Sequence, residues 1–298
     1  MTVDVKAELN ARKNLFEASL NEWCDCRPPA APPRIWEAMT YSLLGGGKRL
    51  RPVLCIAAAE LFGSPPKNVF PMALALEMVH TASLIHDDLP TMDDDSLRRG
   101  HPTNHVVYGE ALAILAGDAL LTHAFQLPLQ ALSGLVPAER IVAAMADFAQ
   151  ALGAQGICGG QVLDMEGDLS GLSDATPLVI AELKTAALIR TSLVTGAILA
   201  GADDDAQKAL NRYGLELGVA FQIADDILDV VGEQESMGKS LGKDRDQNKR
   251  TFISEYGLEG ARECLSRRTK NAVEYMRSFG ASGTFLRELV LYLEHRTQ

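Results

Sequence analysis

Leu210-Asn211-Arg212-Tyr213-Gly214-Leu215-Glu216-Leu217-Gly218-Val219-Ala220-Phe221-Gln222-Ile223-Ala224-Asp225-Asp226-Ile227-Leu228-Asp229 decides the architecture. Leu210, Tyr213, Leu217, Phe221, Ala224 and Leu228 recur at steps of three and four, the period of a helix with one apolar face. The same period, rich in Ala and Leu, runs through nearly the whole chain. Alternating Val/Ile/Thr runs joined by hairpin turns are missing, so a sheet has little to build from. Punctuation is sparse and falls between helices. Pro28-Pro29-Ala30-Ala31-Pro32-Pro33 and Gly63-Ser64-Pro65-Pro66 are two such breaks. Thr176-Pro177 reads as a helix cap followed by proline at the first helical position. Gly201-Ala202-Asp203-Asp204-Asp205 reads as a loop entering the next helix, and Val231 to Arg250, polar and Gly-bearing, as a long loop. No sustained heptads, repeats or linker appear. The expected fold is all-α: one large helical domain over residues 1–298, with about ten helices from typical helix lengths.

Composition narrows the function. Lys and Arg number 28 against 39 Asp and Glu, a formal charge of −11. Neither a nucleic-acid footprint nor a polybasic membrane patch is therefore expected. At 47% apolar and 22% charged residues, the chain is not a disordered one. No uninterrupted apolar run reaches the roughly 18 residues of a bilayer span, so no transmembrane segment is expected. Met1 to Leu20 intersperses Asp4, Lys6, Glu8, Arg12, Lys13 and Glu17 among apolar residues, unlike a secretory signal. Cys24, Cys26, Cys55, Cys158 and Cys264 are odd in number and scattered, and Cys24-x-Cys26 is too tight for a usual zinc site. Free thiols in a reducing cytoplasm are the expectation.

Two acidic clusters carry chemistry. His86-Asp87-Asp88-Leu89-Pro90-Thr91-Met92-Asp93-Asp94-Asp95 follows an apolar helical stripe that includes Leu76, Val79 and Leu84. Pro90 tends to end that helix just after the aspartate pair. Asp87 and Asp88 then sit at a helix C-terminus, where the macrodipole disfavours negative charge. A cation should offset this, and hard carboxylate oxygens suit Mg²⁺ where phosphates supply the remaining ligands. An EF-hand loop fails on spacing, because Arg98 stands where the sharp-turn Gly belongs. In the second cluster Gln222, Asp225, Asp226 and Asp229 share one face of the stretch quoted above. Either cluster alone reads equally as solvated surface. Two acidic faces, each at the end of a buried helix, could form a mouth for metal-chelated polyphosphate.

Cations accompany both clusters. Gly45-Gly46-Gly47-Lys48-Arg49-Leu50-Arg51-Pro52 resembles a phosphate loop. The Walker pattern fails there, since Ser42 replaces its first Gly and Arg49 follows the Lys. Arg98-Arg99 adjoins the first acidic cluster, Lys184-Thr185 lies mid-helix, and Lys239 lies in the polar loop. Arg favours bidentate and Lys point-charge contacts with phosphate. Glu77-x-x-His80 is a single copy of a motif that di-iron bundles need twice, so His80 reads as packed or phosphate-facing.

Together these residues resemble the trans-polyprenyl diphosphate synthases, from about Leu43 to Thr251. The motifs are Asp87-Asp88-Leu89-Pro90-Thr91-Met92-Asp93, Asp225-Asp226-Ile227-Leu228-Asp229, Gly47-Lys48-Arg49-Leu50-Arg51-Pro52, Arg98-Arg99 and Lys184-Thr185, in the family's order. The resemblance implies a helical bundle of the isoprenoid synthase type with a central pocket. It implies condensation of an allylic diphosphate (dimethylallyl, geranyl or farnesyl) with isopentenyl diphosphate. It also implies about three Mg²⁺ ions, which as hard cations take oxygen ligands. These would bridge the allylic diphosphate to Asp87, Asp93 and Asp225, supported by Asp88 and Asp229. Arg98, Lys184 and Lys239 would hold the same diphosphate, and Gly47, Lys48, Arg51, His80 and Arg99 would hold isopentenyl diphosphate. A homodimer is expected by resemblance only.

The hard step is heterolysis of a carbon–oxygen bond, which needs positive charge around the leaving diphosphate. The allylic cation needs dipoles, which the Thr185 hydroxyl, the Gln222 amide oxygen and the Lys184 carbonyl could supply. Chain length depends on residues one to two turns before Asp87, where Ala82 and Ser83 are small. The expectation is a C20 product, geranylgeranyl diphosphate, with farnesyl diphosphate as the alternative. A class I terpene cyclase is the second enzyme reading, against which Lys48, Arg51 and Arg99 stand. A silent partner subunit is the third, against which two intact aspartate motifs stand.

Overall fold

A computed structural model describes residues 3–166, 176–235 and 250–296. The chain opens with α1 (Val5–Asp25), α2 (Pro33–Leu44), α3 (Leu50–Glu60) and α4 (Phe70–Asp87). A short antiparallel hairpin follows, β1 (Leu97–Arg98) with β2 (His101–Pro102), pairing Leu97 with Pro102 and Arg98 with His101. Next come α5 (Asn104–Tyr108), α6 (Glu110–Ala131), α7 (Ala138–Leu152) and α8 (Ile157–Glu166). The helix α9 (Pro177–Ile180) passes through a π turn, Ala181–Ala186, into α10 (Ala187–Ala200). Then come α11 (Asp204–Glu235), α12 (Phe252–Tyr275) and α13 (Thr284–His295). The all-α expectation holds, with 13 α-helices among the described residues against an expectation of about ten, and one hairpin of two residues per strand.

Local chemistry sets the boundaries. Thr176 caps α9 as expected, its Oγ1 accepting from the Val179 amide at 3.3 Å, with Pro177 at the first position. Gly201 ends α10 in the left-handed conformation at φ 87°. The loop expected from Val231 begins later, because α11 continues to Glu235.

Two apolar clusters fill the interior. One gathers Phe16, Leu20, Trp36, Leu43, Leu76, Ala82, Leu120 and Phe148. The other gathers Val53, Leu54, Tyr213, Leu217, Ile223, Ile227, Leu265 and Leu289. The helix α10 stands between them: Leu188, Val194 and Ile198 join the first, Ile189, Leu193 and Ala197 the second. It packs on α3, α7 and α11, while α4 packs chiefly on α6. Each fully buried Leu or Ile contributes about 1.5–3 kcal/mol, so α4 and α10 anchor the bundle.

The membrane expectation needs correction. It counted uninterrupted apolar runs, whereas mean hydropathy tolerates an occasional polar residue. By length and composition Glu110–Ala131, Ala138–Met165 and Pro177–Ala200 are each apolar enough to cross a membrane. The most apolar window of Pro177–Ala200 is 72% buried, so the bundle interior accounts for it. The windows in the other two are 33% buried, and Ile114, Leu115, Leu129, Val142 and Val162 lie exposed there.

Candidate active site

The C-terminal end of α4 carries the first acids. The helix stops at Asp87, and the following chain turns back on itself. Met92 and Asp94 amides bond to the Leu89 carbonyl at 2.9 and 3.1 Å, and the Asp93 amide bonds to the Asp87 carbonyl at 2.8 Å. Asp94 takes the left-handed conformation, φ 49°, to complete the turn. The turn thus brings Asp93 back beside Asp87. Burial pushes the Asp87 carboxyl up to about 6; Asp93 and Asp88 add to the rise, and Lys184 and Arg98 oppose it. Asp88 differs. It is 3% exposed, and Arg98 grips it through Nε at 2.8 Å and Nη2 at 2.5 Å. The neighbouring aspartates therefore do different work, since Asp88 already has a cation.

The second acidic face lies on α11. Gln222 and Asp225 are half-buried, Asp226 is buried and Asp229 is exposed. Asp226 is structural: Oδ1 accepts from Gln222 Nε2 at 2.9 Å, and Oδ2 accepts from the Phe252 amide at 2.9 Å, tying α11 to the start of α12. Burial raises the Asp225 carboxyl, with Lys48 and Arg296 opposing. Gln222 Oε1 accepts from Thr185 Oγ1 at 2.7 Å, so the two expected dipoles pair with each other.

The π turn connects the two faces. Lys184 and Thr185 do not lie mid-way along a regular α-helix, as expected, but within Ala181–Ala186. Such turns recur at functional sites. Thr185 reaches Gln222 on α11, while the Lys184 ammonium acts on Asp87 at the end of α4. Lys184 Nζ is itself held by Asp164 of α8 at 2.5 Å. The fit of α8 against the turn depends on Gly160, where a Cβ would stand 2.3 Å from the Lys184 amide nitrogen.

The cations form a separate knot at the start of α3. Arg49, left-handed at φ 52° and 3% exposed, donates to Glu77 at 2.8 Å, to Glu17 at 2.9 Å and to the Leu43 carbonyl at 2.7 Å. It is thus a strut. Arg51 is different: its buried Nε has no hydrogen-bond partner among the described residues. Arg99 donates to the Gly46 carbonyl. At Gly47, φ 135°, a Cβ would stand 2.7 Å from Arg99 Nη1, so only glycine leaves room for that guanidinium. His80 lies within the field of Arg51, Arg99, Arg98 and Arg49, and burial with that field holds its imidazole well below the usual range. It is therefore neutral at pH 7. Lys48 Nζ lies 5.4 Å from the Phe221 ring centroid and acts on Asp225, linking this knot to the second acidic face. A cavity of about 550 Å³ reaches from His80 and Arg99 past Leu84 and Ile85 to Tyr41 and Asn104. It lies beside α4 rather than between the aspartate motifs.

Of the residues named from sequence, the structure links Asp87, Asp93, Lys184, Thr185, Gln222, Asp225 and Lys48 through shared contacts and fields. Arg51, His80, Arg99 and Gly47 form the adjoining knot. Arg98 stands with Asp88. Lys239 lies outside the described residues. The roles of Glu77, which holds Arg49, and of Asp164, which holds Lys184, are not among the expectations from sequence. An acid inside the apolar stripe Leu76 to Val79 was the available signal for Glu77, since a buried charge demands a partner.

An all-α bundle whose acidic helix ends adjoin a knot of cations, with Arg51 Nε left without a hydrogen-bond partner among the described residues, is built for phosphorylated substrates. The model of the polyprenyl synthetase family matches residues 32–280. A farnesyl diphosphate synthase of Geobacillus stearothermophilus is 40% identical over 296 residues, covering 98% of this chain and 99% of its own. A geranylgeranyl diphosphate synthase of Cyanophora paradoxa is 45% identical over 254 residues, 84% of this chain and 83% of its own. The crystal structure of a geranyltransferase from Legionella pneumophila superposes with a TM-score of 0.85 at 32% identity, over 98% of this chain and 97% of that one. The chain belongs to the polyprenyl synthetase family. It is a prenyltransferase enzyme.

Proposed function

We propose that the protein condenses isopentenyl diphosphate with allylic diphosphates, releases pyrophosphate and makes geranylgeranyl diphosphate. The observation that carries this is the turn that sets Asp93 beside Asp87, a carboxyl that burial pushes up to about 6 and on which Lys184 of the π turn acts. Among the described residues no three His, Cys, Asp or Glu side chains converge to hold a metal unaided. The hard carboxylate oxygens of Asp87, Asp93 and Asp225 suit Mg²⁺, which takes one or two carboxylates and fills its shell with water and substrate phosphate. Asp87, Asp93 and Asp225 would hold it, with Asp88 and Asp229 behind them. Mg²⁺, about three per site by family resemblance, would neutralise charge developing on the leaving diphosphate.

The chain's own residues do the rest. Lys184, Arg98 and Lys239 take the allylic diphosphate as cations. Arg51 and Arg99, with Lys48 and neutral His80, take isopentenyl diphosphate, and Arg51 Nε offers it an unused donor. Thr185 and Gln222, hydrogen-bonded to each other, present dipoles and no reactive base to the allylic cation. The proton lost after carbon–carbon bond formation leaves with the departing pyrophosphate.

A C20 product fits the floor below Asp87. Ala82 is fully buried and small, and Ser83 turns its hydroxyl to the His80 carbonyl at 2.9 Å. The proposal includes a cytoplasmic homodimer. The exposed apolar side chains Val106, Val107, Ile114, Leu115, Leu129 and Val142 on α5, α6 and α7 give a second copy a surface to cover.

Incubation with isopentenyl diphosphate and dimethylallyl, geranyl or farnesyl diphosphate, with and without chelator, tests the reading. Chelator-sensitive elongation to C20 is the expected result. Termination at C15 would replace the product, a cyclic hydrocarbon would select a terpene cyclase, and silence would select a partner subunit.

A further inference from the structure

Lys184 stands between two acids. Its ammonium is bonded to Asp164 Oδ2 at 2.5 Å, and it is the foremost cation acting on Asp87. Both partners of the pair are shielded, with side chains 27% and 13% exposed. No hydrogen bond or ion pair holds the Asp87 carboxylate among the described residues, although Arg98 lies close enough to hold Asp88. Lys carries its charge on a flexible four-carbon stem, and a bare ammonium seeks the nearest carboxylate. Asp87 is the other carboxylate on which that ammonium acts. A direct Lys184–Asp87 pair would occupy the oxygens that a divalent ion needs and cancel part of the charge that attracts it.

The backbone is shaped to hold Lys184 toward α8. The π turn sets Lys184 and Thr185 off the regular helix path, and Gly160, four residues before Asp164 on the same helix, lets α8 approach the turn at backbone distance. Asp164 and Gly160 thus form one docking face for the turn.

We infer that Asp164 is a positioning residue: by holding Lys184, it keeps the ammonium off Asp87 and leaves that carboxylate open to a divalent cation. This rests on Asp87 being a metal ligand under the function proposed above. Asp164 touches neither substrate nor metal in this account and acts through Lys184 alone. It predicts a defect in metal binding rather than in isopentenyl diphosphate binding.

The test is Mn²⁺ binding in the presence of inorganic pyrophosphate, read as free Mn²⁺ by electron paramagnetic resonance, on the full-length protein. Asp164→Asn is expected to raise the half-saturating Mn²⁺ concentration about tenfold, the scale of a lost partner outside the ligand set. Asp164→Ser repeats the test with a smaller uncharged side chain. Asp164→Glu, which keeps the charge, should bind as the parent does. On a Lys184→Gln background, Asp164→Asn should cost nothing further, because the ammonium to be held is gone. Unchanged Mn²⁺ binding in Asp164→Asn, or an equal penalty with and without Lys184, would overturn the inference. Chain elongation by the parent protein is assayed separately, so failure of the catalytic reading and failure of the Asp164 role are distinguishable.

Discussion

Arg98 clasps Asp88 through two nitrogens, at 2.8 and 2.5 Å, one residue along from Asp87, whose carboxyl burial pushes up to about 6. Burial raises both carboxyls, but Asp88 is held by a guanidinium and Asp87 is not. Asp88 is neutralised from within the chain, and Asp87 waits for a cation from outside.

Substituting the two should separate stability from activity. Asp88→Asn leaves Arg98 without its carboxylate and is expected to cost about 2 kcal/mol of stability, less than a fully buried pair because Arg98 is partly exposed. Asp87→Asn is expected to abolish prenyl transfer while leaving the metal-free protein as stable or more so. Urea denaturation of both variants decides this. Equal loss of stability would refute the division of labour.

The pH dependence has a definite sign. An aspartate at 3.8 when unfolded and about 6 when folded makes the folded state bind more protons between those values. Stability of the metal-free protein should thus fall as pH rises from about 4 through 6, by about 1–2 kcal/mol after allowing for solvent screening. Asp87→Asn should flatten that slope. Melting curves in chelator from pH 4 to 8 show it, and an unchanged slope in the variant would locate the titration elsewhere.

Arg51 and His80 should respond differently to change. Arg51→Ala removes a charge with no internal partner at Nε, so KM for isopentenyl diphosphate should rise at least about tenfold. Because His80 is already neutral, His80→Gln should change that KM by less than about threefold. Steady-state kinetics with the allylic substrate saturating compare them. A large His80→Gln defect would mean that its charged form carries the binding.

Gly47→Ala places a methyl where Arg99 Nη1 now lies, 2.7 Å from the new carbon. Displacing that guanidinium should raise KM for isopentenyl diphosphate about tenfold and leave KM for the allylic substrate unchanged. Parallel rises in both constants would mean that the glycine serves the general shape of the loop.

Ala82→Tyr should shorten the product by filling the floor below Asp87, at a stability cost of about 1–3 kcal/mol for overpacking. Chromatography of the products reads the outcome, and an unaltered chain length would remove Ala82 from the floor.

The helical architecture was legible because apolar periodicity and capping are local. Thr176-Pro177 and Gly201 did what such residues do in any helix. The aspartate motifs were legible because a dense acidic run at a helix end needs an explanation. What escaped notice depends on distant partners. Glu77 meets Arg49 across 28 residues, and Lys184 meets Asp164 across 20. The π turn was hidden for another reason: Ala181-Glu182-Leu183-Lys184-Thr185-Ala186 has an ordinary helical composition. Its extra width arises in the packed structure, where Gly160 and Gly218 admit neighbouring backbones. The apolar helices α6 and α7 misled a count of unbroken runs, because scattered polar residues interrupt them without lowering the average much.

That widened turn has an evolutionary corollary. A π bulge holds one residue more than a regular helical turn, so excising a single residue from Ala181–Ala186 would restore ordinary winding without rephasing the flanks. The scaffold could survive such a deletion while Lys184 and Thr185 swung out of joint register. A homologue lacking that one residue would then be a well-folded relic, its catalytic past erased by the loss of one codon.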